Sequence, residues 1–135
     1  MTVSMTQKFS LKKHERLKSK ILLDKLFQSG QSNFTYPIKL IYQIDPLPEE
    51  AWPLLFSVTV PKKKIKSAVD RNLIKRRIRE AYRLHKLDLQ EKLVEAGTHR
   101  MAIMLIYIES DTKEYKVIEK SVLKLLKKLS DVIPT

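Results

Sequence analysis

The sequence predicts an α+β fold in which helices pack on a small sheet as a two-layer sandwich. Three observations predict it. Apolar residues alternate over residues 34–44 and again over 54–60, as in half-buried strands. A continuous apolar run, MAIMLIYI from Met101 to Ile108, reads as a buried strand. Stretches with helical periodicity precede, separate and follow these strands. At 135 residues, 43% apolar and 31% charged, the chain suits one globular domain with a real core.

The elements follow in order. A first helix is expected from about Lys18 to Ser29, with Ile21, Leu22 and Leu26 carrying its rhythm. The chain has two glycines, Gly30 and Gly97, and each is placed at a helix end. FTYPIKLIYQI then reads as one strand, with Phe34, Tyr36, Ile38, Leu40, Tyr42 and Ile44 on one face. Pro37 within it marks an edge or a strand start. After the turn DPLPEE, PLLFSVTV sets Leu54, Phe56, Val58 and Val60 against Leu55, Ser57 and Thr59. The two runs read as an antiparallel hairpin whose second face is only partly apolar.

PKKKIK is a basic loop, and Ser67 with Asp70 resembles a capping pair opening a long helix. Residues 88–96 are a further helix or an extension of the long one. HRMAIMLIYI is the buried strand, and TKEYKVIEKSVLKLLKKLSDVI is an amphipathic helix. Residues 1–15 are read as a flexible basic segment.

Charge is unevenly spread. The formal excess of +12 comes from 27 basic and 15 acidic residues. Residues 1–29 carry net +5 and residues 61–86 net +9, while 30–60 carry −2 and 87–135 balance. Such segregation makes a field that attracts nucleic acid or, less often, anionic lipid. There is no cysteine, so disulfides and thiolate chemistry are excluded. The start lacks a signal-peptide core and Met101–Ile108 is too short to span a bilayer. A soluble cytoplasmic protein is the expectation.

The stretch SAVDRNLIKRRIREAYRLHK decides the class. At about 100° per residue, Ile74, Ile78 and Ala81 form the buried stripe, with Tyr82 and Leu84 at its borders. Lys75, Arg79, Asn72, Arg83 and Arg76, with Arg71 beside them, share an arc of about a third of the circumference. Rungs of that ladder rise ~6 Å per four residues, comparable with phosphate spacing along a nucleic-acid strand. Arginine binds phosphate bidentately, and Asn72 offers a donor and an acceptor for a base edge or 2′-hydroxyl. Arg77 falls off the arc, beside Leu73 and Leu84.

RNLIKRRIREAYR matches the R-N-x-x-K-R-x-x-R signature of the bacterial ribonuclease P protein component. RLKSKILLDKLFQSG, SVTVPKKKIKSAVDRN and HRMAIMLIYI also resemble family segments, in the right order over nearly the whole chain. The resemblance implies a small mixed sheet with a left-handed βαβ crossover, against the usual handedness. It implies a non-catalytic protein subunit that binds the catalytic RNA and assists removal of the 5′ leader from precursor tRNA. Magnesium would come with the RNA subunit and no cofactor with the protein, which is expected to be monomeric. Arg71, Asn72, Lys75, Arg76 and Arg79 become the implied RNA contacts, with Arg83 and the loop residues Lys62, Lys63 and Lys64 added. The family also holds unpaired leader in a cleft between sheet and helices. Phe27 matches an aromatic position there, and Lys39, Ile41, Ser57 and Thr59 are candidates for its floor. Leu23 and Ile41 stand where relatives often have aromatics, and Lys66 where many have glycine.

Other readings stay in view. Phe27 suits a core position equally well, and Phe9 suits either RNA stacking or anchoring of the tail. His14, His85 and His99 lack ligand-like spacing, and Glu109 and Asp111 read as turn residues. No Gly-rich phosphate loop is present, which speaks against nucleotide hydrolysis. Charge alone would also fit a general RNA-binding or ribosome-associated protein without a role in tRNA processing. A membrane-surface protein is disfavoured, because the basic helix lacks a bulky aromatic face. A stand-alone nuclease is the weakest reading.

Overall fold

A computed structural model describes residues 13–49 and 51–134. After a short 3-10 turn, Lys13–Glu15, the order is α1 (Lys20–Ser29), β1 (Gln31–Thr35), β2 (Ile38–Pro46) and β3 (Leu54–Thr59). Next come α2 (Ala68–His85), α3 (Leu87–Ala96), β4 (His99–Tyr107) and α4 (Tyr115–Ser130). The sheet has four strands in the order β1-β2-β4-β3. β1 and β2 are antiparallel, as are β2 and β4, while β3 and β4 are parallel.

Two expectations about the strands are corrected. The run from Phe34 to Ile44 is not one strand. It reverses at Tyr36–Pro37, so that Thr35 pairs with Ile38 and Gln31 with Tyr42. Pro37 has no N–H to give to a ladder, which makes it a natural point of reversal. The second correction concerns pairing: β3 forms no hairpin with β2. Its partner is β4, which lies between them. Residues 101–105 of β4 are all buried, whichever face they point to. A strand apolar on both faces belongs at the centre of the sheet. The parallel pairing then requires a crossover from β3 to β4, and α2 and α3 supply it.

The larger core lies on one face of the sheet. Ile38, Leu40, Leu54, Phe56, Met101, Ile103 and Leu105 meet Ile74, Ile78, Tyr82, Ile118, Val122 and Leu125 there. A smaller cluster on the other face joins Leu17 and Leu26 to Ile41, Ala102 and Met104. Residues 1–12 and the Phe9 reading lie outside the described residues. Residues 13–15, assigned above to the flexible segment, form the 3-10 turn, and Glu15 in it is buried.

The Ser67 cap and both glycines stand where the sequence puts them, and Ser19, inside the expected first helix, caps it instead. Ser19 accepts from the Leu22 N–H and Ser67 from the Asp70 N–H, each at 3.3 Å. Gly97 ends α3 at φ 68°, in the left-handed region. Gly30 ends α1 for another reason, since its φ is −68°. A Cβ built there would lie 2.3 Å from the Leu26 carbonyl oxygen and 2.6 Å from Ile41 Cγ2. The chain turns from helix to strand while touching the strand beneath. Gly30→Ala should therefore cost ~1–3 kcal/mol through overpacking, and Gly97→Ala ~1–2 kcal/mol through its backbone. Thermal or denaturant unfolding checks both. Asn, which tolerates the left-handed region, should recover part of the loss at position 97 and none at position 30.

Candidate nucleic-acid interface

The long helix α2 buries Ile74, Ile78, Ala81 and Tyr82. Tyr82 is wholly buried rather than at a border, and its ring stacks on Phe56 of β3 with centroids 3.8 Å apart. The opposite arc opens on a groove of about 510 Å³ lined by Arg16, Asn72, Arg76, Arg79, Glu80 and Arg83. Glu80 is the one acid in that lining, and Arg83 donates to it at 2.6 Å. That hydrogen bond holds the Glu80 carboxyl below its usual range and raises the Arg83 guanidinium. The pair is thus self-neutralised. Arg76 and Arg79 are exposed and take part in no ion pair among the described residues. Their charge faces solvent across a concave surface, where a phosphate chain would lower the repulsion.

The remaining basic residues of α2 divide by what they hold. Arg71 donates to the carbonyls of Ile65 at 3.0 Å and Lys66 at 2.8 Å. It thereby fixes the loop that presents the exposed Lys62, Lys63 and Lys64, and it does not line the groove. Lys75 is half-buried at the edge of the arc and also outside the lining. Arg77 points away from the arc, as its position implies, and donates to the Lys113 carbonyl at 2.5 Å. It ties α2 to the start of α4.

The second open surface is the sheet face under α1. Register aligns Phe34, Lys39, Ile106 and Thr59 in one row across the strands, and Ser32, Ile41, Met104 and Ser57 in the next. Ile41 is corrected as a floor residue: it is buried beneath α1, against Leu26 and Gly30. Lys39 is exposed, and Ser57 and Thr59 are half-buried. Phe27 is 57% exposed, so the core reading of that residue falls. Lys25 of α1 is tied to Asp45 at 2.6 Å. Phe27, about 200° further round the helix, leaves from the flank turned away from Asp45.

The two surfaces meet at the outer edge of β3, where Arg16 bridges to Phe56. A cavity of about 240 Å³ there is lined by Arg16, Leu17, Lys18, Phe56, Ser57, Val58 and Arg79. It shares Arg16 and Arg79 with the α2 groove. The sequence reading missed Arg16 and Lys18. Their signal is the alternation of Glu15, Arg16, Leu17 and Lys18, buried, exposed, buried, exposed, which matches a strand-like edge segment. The histidines lie in separate neighbourhoods: His14 against Trp52, His85 on Glu119 and His99 on Thr98. Glu109 accepts from the Tyr36 hydroxyl and the Ser110 N–H, as a turn residue does.

A model of the ribonuclease P family matches residues 11–130. This chain belongs to that family. The ribonuclease P protein component of Porphyromonas gingivalis is 29% identical over 127 residues, covering 94% of this chain and 91% of that one. That of Chlorobium phaeobacteroides is 35% identical over 105 residues, or 73% and 72% of the two chains. The Staphylococcus aureus RNase P protein shares the fold, with a TM-score of 0.62 at 22% identity over 89% of this chain and 98% of that one. The fold expected from the family resemblance, α+β with a mixed sheet, is the fold found. No helix among the described residues is long and apolar enough to cross a membrane.

The exposure of Phe27 separates it energetically from its neighbour. Phe27→Ala should change unfolding free energy by no more than about 0.5 kcal/mol, as for other surface sites. Leu26→Ala, one residue earlier and 1% exposed, should cost ~2–5 kcal/mol. Denaturant titrations of the two variants side by side check the assignment.

Proposed function

We propose that this chain is the non-catalytic, RNA-binding protein subunit of ribonuclease P. In this role it assists the catalytic RNA in removing the 5′ leader from precursor tRNA in the cytoplasm. One observation carries the reading: in a member of this family, Arg16, Asn72, Arg76 and Arg79 converge on one open groove. Such a groove follows a phosphate backbone, with arginine forks on the oxygens and Asn72 free to reach a base edge or a 2′-hydroxyl. Lys62, Lys63 and Lys64 extend the positive surface from the loop that Arg71 holds. The groove suits anions and repels cations, its one carboxylate being paired with Arg83. Magnesium would therefore be held by the RNA subunit, with no ligand assigned to this chain.

The leader takes the other surface in this reading. Phe27 is an exposed ring, Lys39 an exposed cation, and Ser57 and Thr59 offer hydroxyls on the same sheet face. An aromatic platform beside a cation binds unpaired nucleotides with little regard to sequence. With Ile41 in the core and Leu23 aliphatic, Phe27 supplies the ring on α1, and the exposed Phe34 supplies a second ring in the row that carries Lys39. Because the two surfaces join at Arg16 and Arg79, one protomer can hold the RNA subunit and a leader together.

Reconstitution tests the whole reading. The protein should not cleave precursor tRNA alone. With a bacterial ribonuclease P RNA it should accelerate cleavage most at low magnesium, where phosphate repulsion is poorly screened. Specific cleavage of the 5′ leader by RNA-free protein would refute the proposal.

Single substitutions separate the two surfaces. Arg79→Ala should weaken binding of the RNA subunit by ~1–3 kcal/mol and lower the log–log salt slope by about one. Phe27→Ala should weaken binding of precursor tRNA to the holoenzyme by ~1–3 kcal/mol and leave mature tRNA unaffected. Equal losses for both tRNAs would remove Phe27 from the leader path.

A further inference from the structure

Residues 87–135 are neutral in sum, and that balance hides a second basic helix. α4 carries five lysines and one acid, Glu119, among its 16 residues. At about 100° per residue, Lys116, Lys120, Lys124 and Lys127 share an arc of about 80°. All four are exposed, and none takes part in an ion pair or side-chain hydrogen bond among the described residues. The groups along both borders of this ridge are committed elsewhere. On one side Glu119 meets His85 at 3.1 Å and accepts from the Tyr115 hydroxyl at 3.0 Å. On the other, Ser121 donates to the Thr35 carbonyl at 2.6 Å and Lys128 to the Phe34 carbonyl at 3.3 Å. Asp131, one turn past Lys127, lies beyond the helix end and pairs with none of the four.

Folding does not account for this row. Lysines four apart on a helix repel, and Lys116 stands in the first turn, where the dipole disfavours a cation. The core needs only the opposite side of α4, which buries Ile118, Val122, Leu125 and Leu129. What the row suits is a polyanion. Successive lysines climb ~6 Å, and a compact ammonium on a flexible stem meets phosphate as a point charge without reading a base. The arc offers no ring, since Tyr115 is half-buried and its hydroxyl is committed to Glu119. An unpaired strand is held by stacking on such rings. The row therefore fits the backbone of paired RNA, which is bound through phosphates and shape.

Position narrows the partner. α4 covers the sheet face opposite α1, so the sheet stands between the ridge and the leader surface of Phe27 and Lys39. The α2 groove is separate as well. Arg77 and His85 turn toward α4, and the groove opens on the other flank of α2. We propose that Lys116, Lys120, Lys124 and Lys127 form a second RNA-contact surface. It binds the phosphate backbone of a paired segment of the RNA subunit, distinct from the segment held in the α2 groove. The inference rests on the RNA-binding reading above.

The test uses the full chain with a bacterial ribonuclease P RNA as the probe, with affinities measured over a range of salt. Lys120→Gln/Lys124→Gln removes two ridge charges and keeps good helix formers. It should weaken binding about tenfold and lower the log–log salt slope by about one to two. Lys20→Gln/Lys92→Gln removes two exposed charges off the ridge and should do less than half as much. Equal losses from the two pairs overturn the proposal, because net charge alone would then explain them. Arg79→Ala combined with the ridge pair should lower affinity by the product of the separate factors, as independent contacts do. The chain has no cysteine, so Lys124→Cys gives one attachment point for a hydroxyl-radical source. That source should cut both strands of a paired segment of the RNA subunit. Cuts confined to unpaired nucleotides, or to precursor tRNA in the assembled holoenzyme, overturn the assignment. If Arg79→Ala weakens binding while the ridge pair does not, this inference alone falls. If neither does, the RNA-binding reading falls with it.

Discussion

The arrangement depends on β4, a strand that must be buried on both faces. Its apolar run leaves no side to show to water, so it needs a strand on each edge and cover above and below. β2 takes one edge along its whole length, antiparallel, from Ile38 to Pro46. β3 takes the other and runs parallel. A parallel neighbour cannot be reached by a tight turn, so the chain must cross over the sheet between them. That crossover is α2 and α3. The basic helix lies where it does because β4 needs a parallel partner and its face needs a cover.

Once α2 is laid down with Ile74, Ile78, Ala81 and Tyr82 inward, its cations have one direction left. Their crowding is a cost that the fold relieves in part. Arg71 is spent on the loop carbonyls, Arg77 on Lys113 and Arg83 on Glu80. Asp70 in the first turn and Arg83 and His85 in the last suit the helix dipole. Arg76 and Arg79 are left facing the groove. Their mutual repulsion is lowered by an anion and not by the protein. A surface of this kind contributes little to folding and much to salt-dependent binding.

The sheet leaves its second face half covered, and this creates the other surface. α1 is short and lies over Ile41, Ala102 and Met104, where Leu26 and Leu17 complete the smaller cluster. The row of Phe34, Lys39, Ile106 and Thr59 lies beside that cover and keeps Phe34 and Lys39 exposed. Gly30 permits this arrangement, since no side chain would fit between α1 and Ile41. The edge of β3 then links the face to the α2 groove through residues 16–18.

The sequence by itself determined whatever local rules govern. Ser67 opens α2, Gly97 closes α3, the apolar stripe of α2 faces inward, and its cations share an arc, all from spacing and capping chemistry. The signature residues could be picked out for the same reason, because they lie on one helix. The tertiary structure decided what depends on distant partners. It gave β3 to β4 instead of β2, reversed the chain at Pro37, and sank Ile41 while leaving Phe27 exposed. It also brought Arg16 to Arg79 and set Glu15 against Lys86, 71 residues away. Alternation along a strand shows which residues share a face, but not which strand lies alongside or what covers that face. Those choices follow from burying the whole apolar surface at once, and a buried charge pair is settled only when both of its charges find the same dry place.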